Sequence, residues 1–276
     1  MTKLRIGGQA LIEGVMFRTK NKISIAIRKP NKKIALFKIK FRQKRIKFPI
    51  LRGLFNLWEM LKFGTKALSL SAQIQQKKQE KISGKEFALA IAISILFSIL
   101  IFIFLPYWLA KLIFKQGFAL HFFDGIFRIL IFFIYIFSTS FLKDVRRLFE
   151  YHGAEHMVAN CYESGQPLKF ENILKQRKEH LRCGTSFLFI VFILAIFVFS
   201  IVRIDHWFGN IVLRIFLIPI IAGTCYEIFG VYARTGNKIL KIFIYPGLLF
   251  QLLTTRWPKR NQIEVALAAL KNLIRK

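Results

Sequence analysis

Long apolar runs separated by short charged stretches dominate the chain from residue 87 onward. Four of them, roughly 87–105, 126–142, 185–202 and 211–229, are long enough to cross a bilayer, since a span needs about 17–25 mostly apolar residues. A fifth run, 239–253, is interrupted by Lys241 and by Tyr245-Pro246-Gly247. It predicts a re-entrant or interfacial segment rather than a span. Upstream the pattern changes. Lys22-Ile23-Ser24-Ile25-Ala26-Ile27-Arg28 alternates with period two, Pro30-Asn31 is a turn signal, and Ile34 to Phe41 is a second run whose alternation Leu36-Phe37 breaks. Two such runs around a turn predict a β-hairpin. The stretch before it, from Gly7 to Arg18, holds Gly7, Gly8 and Gly14, as tight turns or a close backbone approach require.

Phe48 to Ala72 predicts an amphipathic helix. Leu54, Phe55, Leu57, Trp58, Leu61 and Phe63 give it an apolar side, and Arg52, Lys62 and Lys66 give it charge. Such a helix lies in the headgroup plane or packs on the hairpin. Gln73 to Lys85 is a polar linker. Three regions follow: a basic β-rich domain over 1–47, the amphipathic helix and linker over 48–86, and a membrane domain over 87–276. The first apolar run, near Phe87, predicts an uncleaved signal anchor, because the residues before it lack the short apolar core and cleavage site of a signal peptide.

Composition strengthens the membrane assignment. The 276 residues are 54% hydrophobic and 15% aromatic, with 31 Phe, against about 45–50% apolar residues in soluble proteins. The chain also carries 44 Lys+Arg against 14 Asp+Glu, and that excess fixes orientation. Residues 1–86 hold 22 Lys+Arg and 4 acidic residues, the loop 143–184 holds 8 Lys+Arg, and 234–276 holds 9. The alternate loops offer only Lys111 and Lys115, and Arg203. The positive-inside rule therefore places both termini and the 143–184 loop in the cytosol. The fold class expected is a mainly α, polytopic membrane protein with about four transmembrane helices and a small cytosolic β-rich N-terminal domain.

The basic N-terminal region, with Arg42, Lys44, Arg45 and Lys47 at its end, admits three readings: contact with anionic lipid headgroups, salt-sensitive contact with nucleic acid such as ribosomal RNA, or a topology signal alone. Three cysteines do not make a disulfide framework. No phosphate-binding glycine loop and no serine triad can be drawn from the spacing.

The chemistry concentrates in Tyr151-His152-Gly153-Ala154-Glu155-His156. On a helix, His152 and His156 share a face one turn apart. The order His-x-x-Glu-His matches a metalloprotease pattern of two metal-binding histidines with the carboxylate as general base. Glu163 returns to nearly the same face, and Glu227, near the end of the fourth span, falls at the same membrane face. His152 and His156, with Glu227 or Glu163, would hold a divalent metal, and Glu155 would be the catalytic base. Zinc suits such ligands; iron and manganese stay open. A structural alternative groups Cys161, His180 and Cys183 with one of the two histidines. A third reading has no metal. Glu13, alone among the first 58 residues in being acidic, is a further candidate because glycines frame it. His121 and His206 are expected to mark the non-cytosolic interfaces, with Asp124 and Asp205 solvated beside them and Arg214 snorkelling to the interface.

Several separated motifs resemble the YqhQ-like family, a bacterial multi-pass membrane family of unassigned function that is sometimes described as predicted metal-dependent enzymes. They are Gly7-Gly8-Gln9-Ala10-Leu11-Ile12-Glu13-Gly14-Val15-Met16, Pro49-Ile50-Leu51-Arg52-Gly53, Tyr151 to His156, His180-Leu181-Arg182-Cys183-Gly184-Thr185-Ser186-Phe187, Pro246-Gly247-Leu248, Leu253-Thr254-Thr255-Arg256 and Gln262-Ile263-Glu264-Val265-Ala266. The resemblance runs from Gly7 to Leu270. Phe17 and Met157 depart from it, standing where Met and Lys are expected. The resemblance implies the same topology and candidate residues. The function expected is an integral inner-membrane protein with a metal-dependent, hydrolase-like site at the cytosolic face. The alternative is a non-enzymatic factor in membrane-protein or envelope biogenesis that docks a ribosome, translocon or other partner.

Overall fold

The computed structural model describes residues 4–42, 46–76, 84–202, 204 and 207–275. Lys44, Arg45, Arg203, Asp205 and His206, and the middle of the expected linker, lie outside the described residues.

Four strands form one antiparallel meander in the order β1 (Gly7–Leu11), β2 (Gly14–Arg18), β3 (Lys22–Arg28) and β4 (Ile34–Lys40). The β3–β4 hairpin matches the alternating runs. The glycine-rich stretch before it turns out to be a second hairpin, with Leu11 paired to Gly14 across a two-residue turn in which Glu13 takes a left-handed φ of 53°. Its mixed sequence hides the period-two signal.

Helices follow in the order α1 (Pro49–Gln75), α2 (Gly84–Ile99), a π-helical turn at Leu100–Phe104, α3 (Leu105–Ile113), α4 (Phe118–Thr139), α5 (Lys143–Ser164), α6 (Phe170–Leu174), α7 (Gly184–Ile201), α8 (Trp207–Thr235), α9 (Lys238–Ile244), α10 (Pro246–Thr254) and α11 (Arg260–Ile274). Among the described residues, four helical stretches are long and apolar enough to cross a membrane: Ala92–Ile113, Phe118–Thr139, Gly184–Ile201 and Val212–Thr235. The protein is thus a mainly helical membrane protein with a small N-terminal sheet. The broken run 239–253 becomes two short helices separated at Pro246, where the missing N–H ends the first of them.

The second span begins at Phe118 rather than 126, because it takes in polar residues that pair internally. Asp124, only 2% exposed, accepts from Arg128 at 3.0 Å and from Arg214 of α8 at 2.9 Å. Arg214 also contacts His121 Nδ1 at 3.1 Å. Asp124 is therefore not solvated, and Arg214 turns inward to it instead of snorkelling. A charge inside a span is tolerated only when paired, and these four residues pair one another.

The sheet is covered on both faces. Leu11, Met16, Ile23, Ile25 and Ile27 pack with Ala67, Phe63 and Leu70 of α1. Val15, Phe17 and Ala26 face the other way, onto Tyr151, Ala154 and Met157 of α5 and Ile263, Ala266 and Leu270 of α11. Successive strand residues point to opposite faces, so the alternation read in β3 sorts its isoleucines to α1. Ser24 and Ala26 go to α11, where the Asn272 amide donates to Ser24 Oγ at 2.9 Å. On its other side α1 crosses α8 with Gly53 against Gly223, a β-carbon at Gly53 falling 2.7 Å from the Gly223 carbonyl oxygen. Small residues let helix backbones approach this closely.

Candidate metal centre

α5 carries the two histidines. Gly165, at a left-handed φ of 78°, ends it in the usual way for a glycine. The interior Gly153 costs helix propensity, and the structure supplies the compensation. A β-carbon there would overlap the Arg256 carbonyl oxygen, so the bare backbone lets the segment after α10 run directly against α5. Along this seam the Arg256 N–H donates to the Phe149 carbonyl at 3.0 Å, and His152 Nδ1 donates to the Thr254 carbonyl at 2.8 Å.

His156 Nδ1 is anchored in the same manner by the Lys178 carbonyl, at 2.7 Å. A carbonyl can only accept, so Nδ1 of each ring carries the proton and each Nε2 keeps its lone pair. The segment that presents Lys178 is itself clamped. Asn160 donates to the carbonyls of Arg177 and Glu179 at 2.9 and 3.0 Å. Gln251, fully buried in α10, accepts from the His180 N–H and donates to the His180 carbonyl, both at 2.8 Å.

Cys183 caps the N-terminus of α7. Its Sγ accepts from the Thr185 N–H at 3.4 Å and lies 3.1 Å from His152 Nε2. The ligand atoms of His152, His156 and Cys183 all fall within 4.8 Å of one another, the one such group of three among the described residues. Burial pushes the Cys183 thiol up, but His156 and the two Thr185 hydrogen bonds together outweigh it and the net shift is downward. Burial pushes both histidines down to about 4, so they are neutral, with lone pairs available, at physiological pH. Neutral imidazoles, a thiol of lowered pKa and backbone partners on the outer ring nitrogens are what a zinc-type site requires.

Glu155 sits beside this group. It is 5% exposed, and its Oε2 is 3.5 Å from His156 Nε2. Burial, reinforced by the Cys183 and Glu163 charges, pushes its carboxyl well above the ordinary range. Gly8 of β1 lies against it, and a β-carbon on Gly8 would overlap the carboxylate.

The other expected residues are placed as follows. Glu163 does not join the three-atom group. It binds His180 Nε2 at 3.1 Å and Arg182, and those contacts, acting against its burial, lower its pKa. His180 also accepts from the Arg182 N–H through Nδ1, so both of its nitrogens are engaged. Cys161 is buried in the α5 core and points to the Pro167 carbonyl. Glu227 does not reach the histidines, because it lies on the face of α8 toward α1. There Arg52 holds both of its oxygens, through Nε at 3.1 Å and through Nη2. Glu13 accepts from Arg147 Nη2 at 2.6 Å and from the Tyr151 hydroxyl at 3.1 Å, tying the β1–β2 turn to α5. Sequence reasoning grouped Cys183 with only one of the two histidines, and it read Gly8 as a position of tight turning or close approach without Glu155 as the neighbour; Gln251 it did not single out. The signal was present in Gly7-Gly8-Gln9 and in Gln251 within an apolar helix.

A family model described as a protein of unknown function (DUF1385) matches residues 48–276. The uncharacterized protein YqhQ of Bacillus subtilis (strain 168) is 35% identical over 296 aligned positions, covering 98% of this chain and 92% of the relative. No solved structure matches.

Proposed function

The chain belongs to the DUF1385 family of proteins of unknown function, and for it we propose a metal-dependent hydrolase whose site lies at the cytosolic face of the bacterial inner membrane. The convergence of His152 Nε2, His156 Nε2 and Cys183 Sγ, with each outer Nδ1 spent on a carbonyl, carries the proposal. Those three atoms would hold a divalent cation, and the nitrogen and sulfur donor set favours zinc.

A cation held there would act as a Lewis acid toward water, and its charge would oppose the burial that raises the Glu155 carboxyl. Glu155 is the general base and takes the proton from water. The backbone grips of Thr254, Lys178 and Gln251 hold the rings in place through the proton transfer. The excess of Lys and Arg in residues 1–86, 143–184 and 234–276 supports the cytosolic side, and the spans on either side of the loop support a membrane-associated substrate.

Metal analysis of the purified chain tests this. One equivalent of metal is expected in the wild type, and its loss is expected in each of His152→Ala, His156→Ala and Cys183→Ser. Glu155→Gln should keep the metal yet fail to complement a deletion strain. Full complementation by metal-loaded Glu155→Gln would favour the non-enzymatic biogenesis factor, and a metal-free, fully functional wild type would remove the site.

A further inference from the structure

A chamber of about 650 Å³ opens between the sheet, α1 and α8. It belongs to the other side of β1 from the metal centre. Gly7 lines it, whereas Gly8, the next residue, faces Glu155, as alternate strand residues must. Five cations line the chamber, Arg5, Arg18, Lys20, Arg52 and Arg234, against one carboxylate, Glu227. Arg52 is committed to Glu227, and Arg18 to Glu59 at 3.3 Å. Arg5, Lys20 and Arg234 are exposed, and among the described residues no carboxylate pairs with them. The lining therefore carries an excess of positive charge that an anion would balance.

Its position narrows the occupant. One wall is the last turns of the fourth span, Val212–Thr235, from Tyr226 to Arg234 at its end, and the rest includes apolar Ile46 and Met60. α1, which supplies Met60, leaves Phe48, Leu51, Trp58 and Leu61 exposed, an apolar edge of the kind that rests among headgroups. The chamber thus sits at headgroup depth, cationic toward the water and apolar toward the chains. Its volume lies within the range of ligand pockets, about 300–1,000 Å³.

We propose that this chamber binds a phosphate group carried by an anionic lipid headgroup, with Arg5, Lys20 and Arg234 as its free cations. The full-length protein in neutral detergent, titrated with phosphatidic acid, phosphatidylcholine or glycerol 3-phosphate and read by native mass spectrometry, tests it. Phosphatidic acid is expected to be retained at least about tenfold better than phosphatidylcholine. The triple variant Arg5→Ala/Lys20→Ala/Arg234→Ala should lose that preference while keeping its metal content and unfolding temperature, because all three side chains are exposed. A control lacking three cations outside the chamber, Lys169→Ala/Lys175→Ala/Lys271→Ala, should retain it.

Glycerol 3-phosphate bound as tightly as the lipid would keep the phosphate site but assign it to a soluble ligand, overturning the lipid. Equal retention of the two lipids, or an equal loss in the control, would overturn the site itself. None of these outcomes depends on the metal, so the two proposals fail separately.

Discussion

The backbone of Gly8 rests on the carboxylate of Glu155, closely enough that no side chain fits between them. The glycine-rich strand and the histidine helix, nearly 150 residues apart, are thereby parts of one site. Strand β1 forms the wall that keeps Glu155 dry, and dryness raises its pKa. Gly8→Ala must displace either the strand or the carboxylate. We expect it to destabilise the protein by about 1–3 kcal/mol, the usual scale of overpacking. In a Glu155→Ala background most of that cost should vanish, since the overlapping atoms are gone. Thermal unfolding of the four proteins in detergent gives the coupling energy. An equal cost in both backgrounds would mean the contact is not what constrains Gly8.

Gln251 acts at one remove from the metal centre. Its amide satisfies both backbone groups of His180 and also donates to Ser186 Oγ at 2.6 Å. Gln251→Leu keeps the bulk and strands the N–H and carbonyl of His180, each at about 1–3 kcal/mol when buried. The loop that positions the Lys178 carbonyl behind His156 should loosen. Faster amide exchange across 177–183, with unchanged exchange in the β-strands, is the expected signature. Unaltered exchange in that loop would show that Asn160 suffices to hold it.

Removal of the metal should uncover a thiol. Cys183 is expected to be masked from a thiol reagent while the cation is bound and to react after chelation. Cys161 and Cys225, both fully buried in apolar clusters, should stay silent until unfolding. Binding only to the folded state adds stability by linkage, so chelation should also lower the unfolding temperature, and Cys183→Ser should remove most of that difference. Equal labelling with and without chelator would count against Cys183 as a ligand.

Much of this architecture was legible in the sequence, and the reasons differ by element. The spans announced themselves because an apolar run of that length has few other uses, and β3 did because its isoleucines alternate. The β1–β2 hairpin stayed hidden, since glycines chosen for close approach to Glu155 and Gly14's neighbours erase the alternation. His152 and His156 could be paired because helical spacing is local. Their third partner stayed open between Cys183 and the two glutamates, because Cys183 meets them through the turn into α7, and Glu227 looked equally placed until α8's rotation set it against Arg52. Depth along a span was the least legible feature. Hydropathy alone started the second span after Asp124, whereas the pairing of Asp124 with Arg128 and Arg214 brings it inside.

That pairing makes the last prediction. Asp124 is the sole carboxylate contacting Arg128 and Arg214 among the described residues, so the cluster holds two cations on one anion within the span region. Asp124→Leu leaves both guanidinium groups without a counter-charge where water is scarce, and breaking a buried pair from one side costs about 3–5 kcal/mol. Asp124→Leu/Arg214→Leu removes a cation together with the anion and leaves one arginine to compensate. We expect the double variant to be more stable than Asp124→Leu alone, the reverse of additive damage, as measured by thermal unfolding in the same detergent. If the double variant falls by the sum of the two single losses, Arg214 stabilises the bundle through packing on Phe199, over which its guanidinium lies 5.2 Å from the ring centre, and not through Asp124.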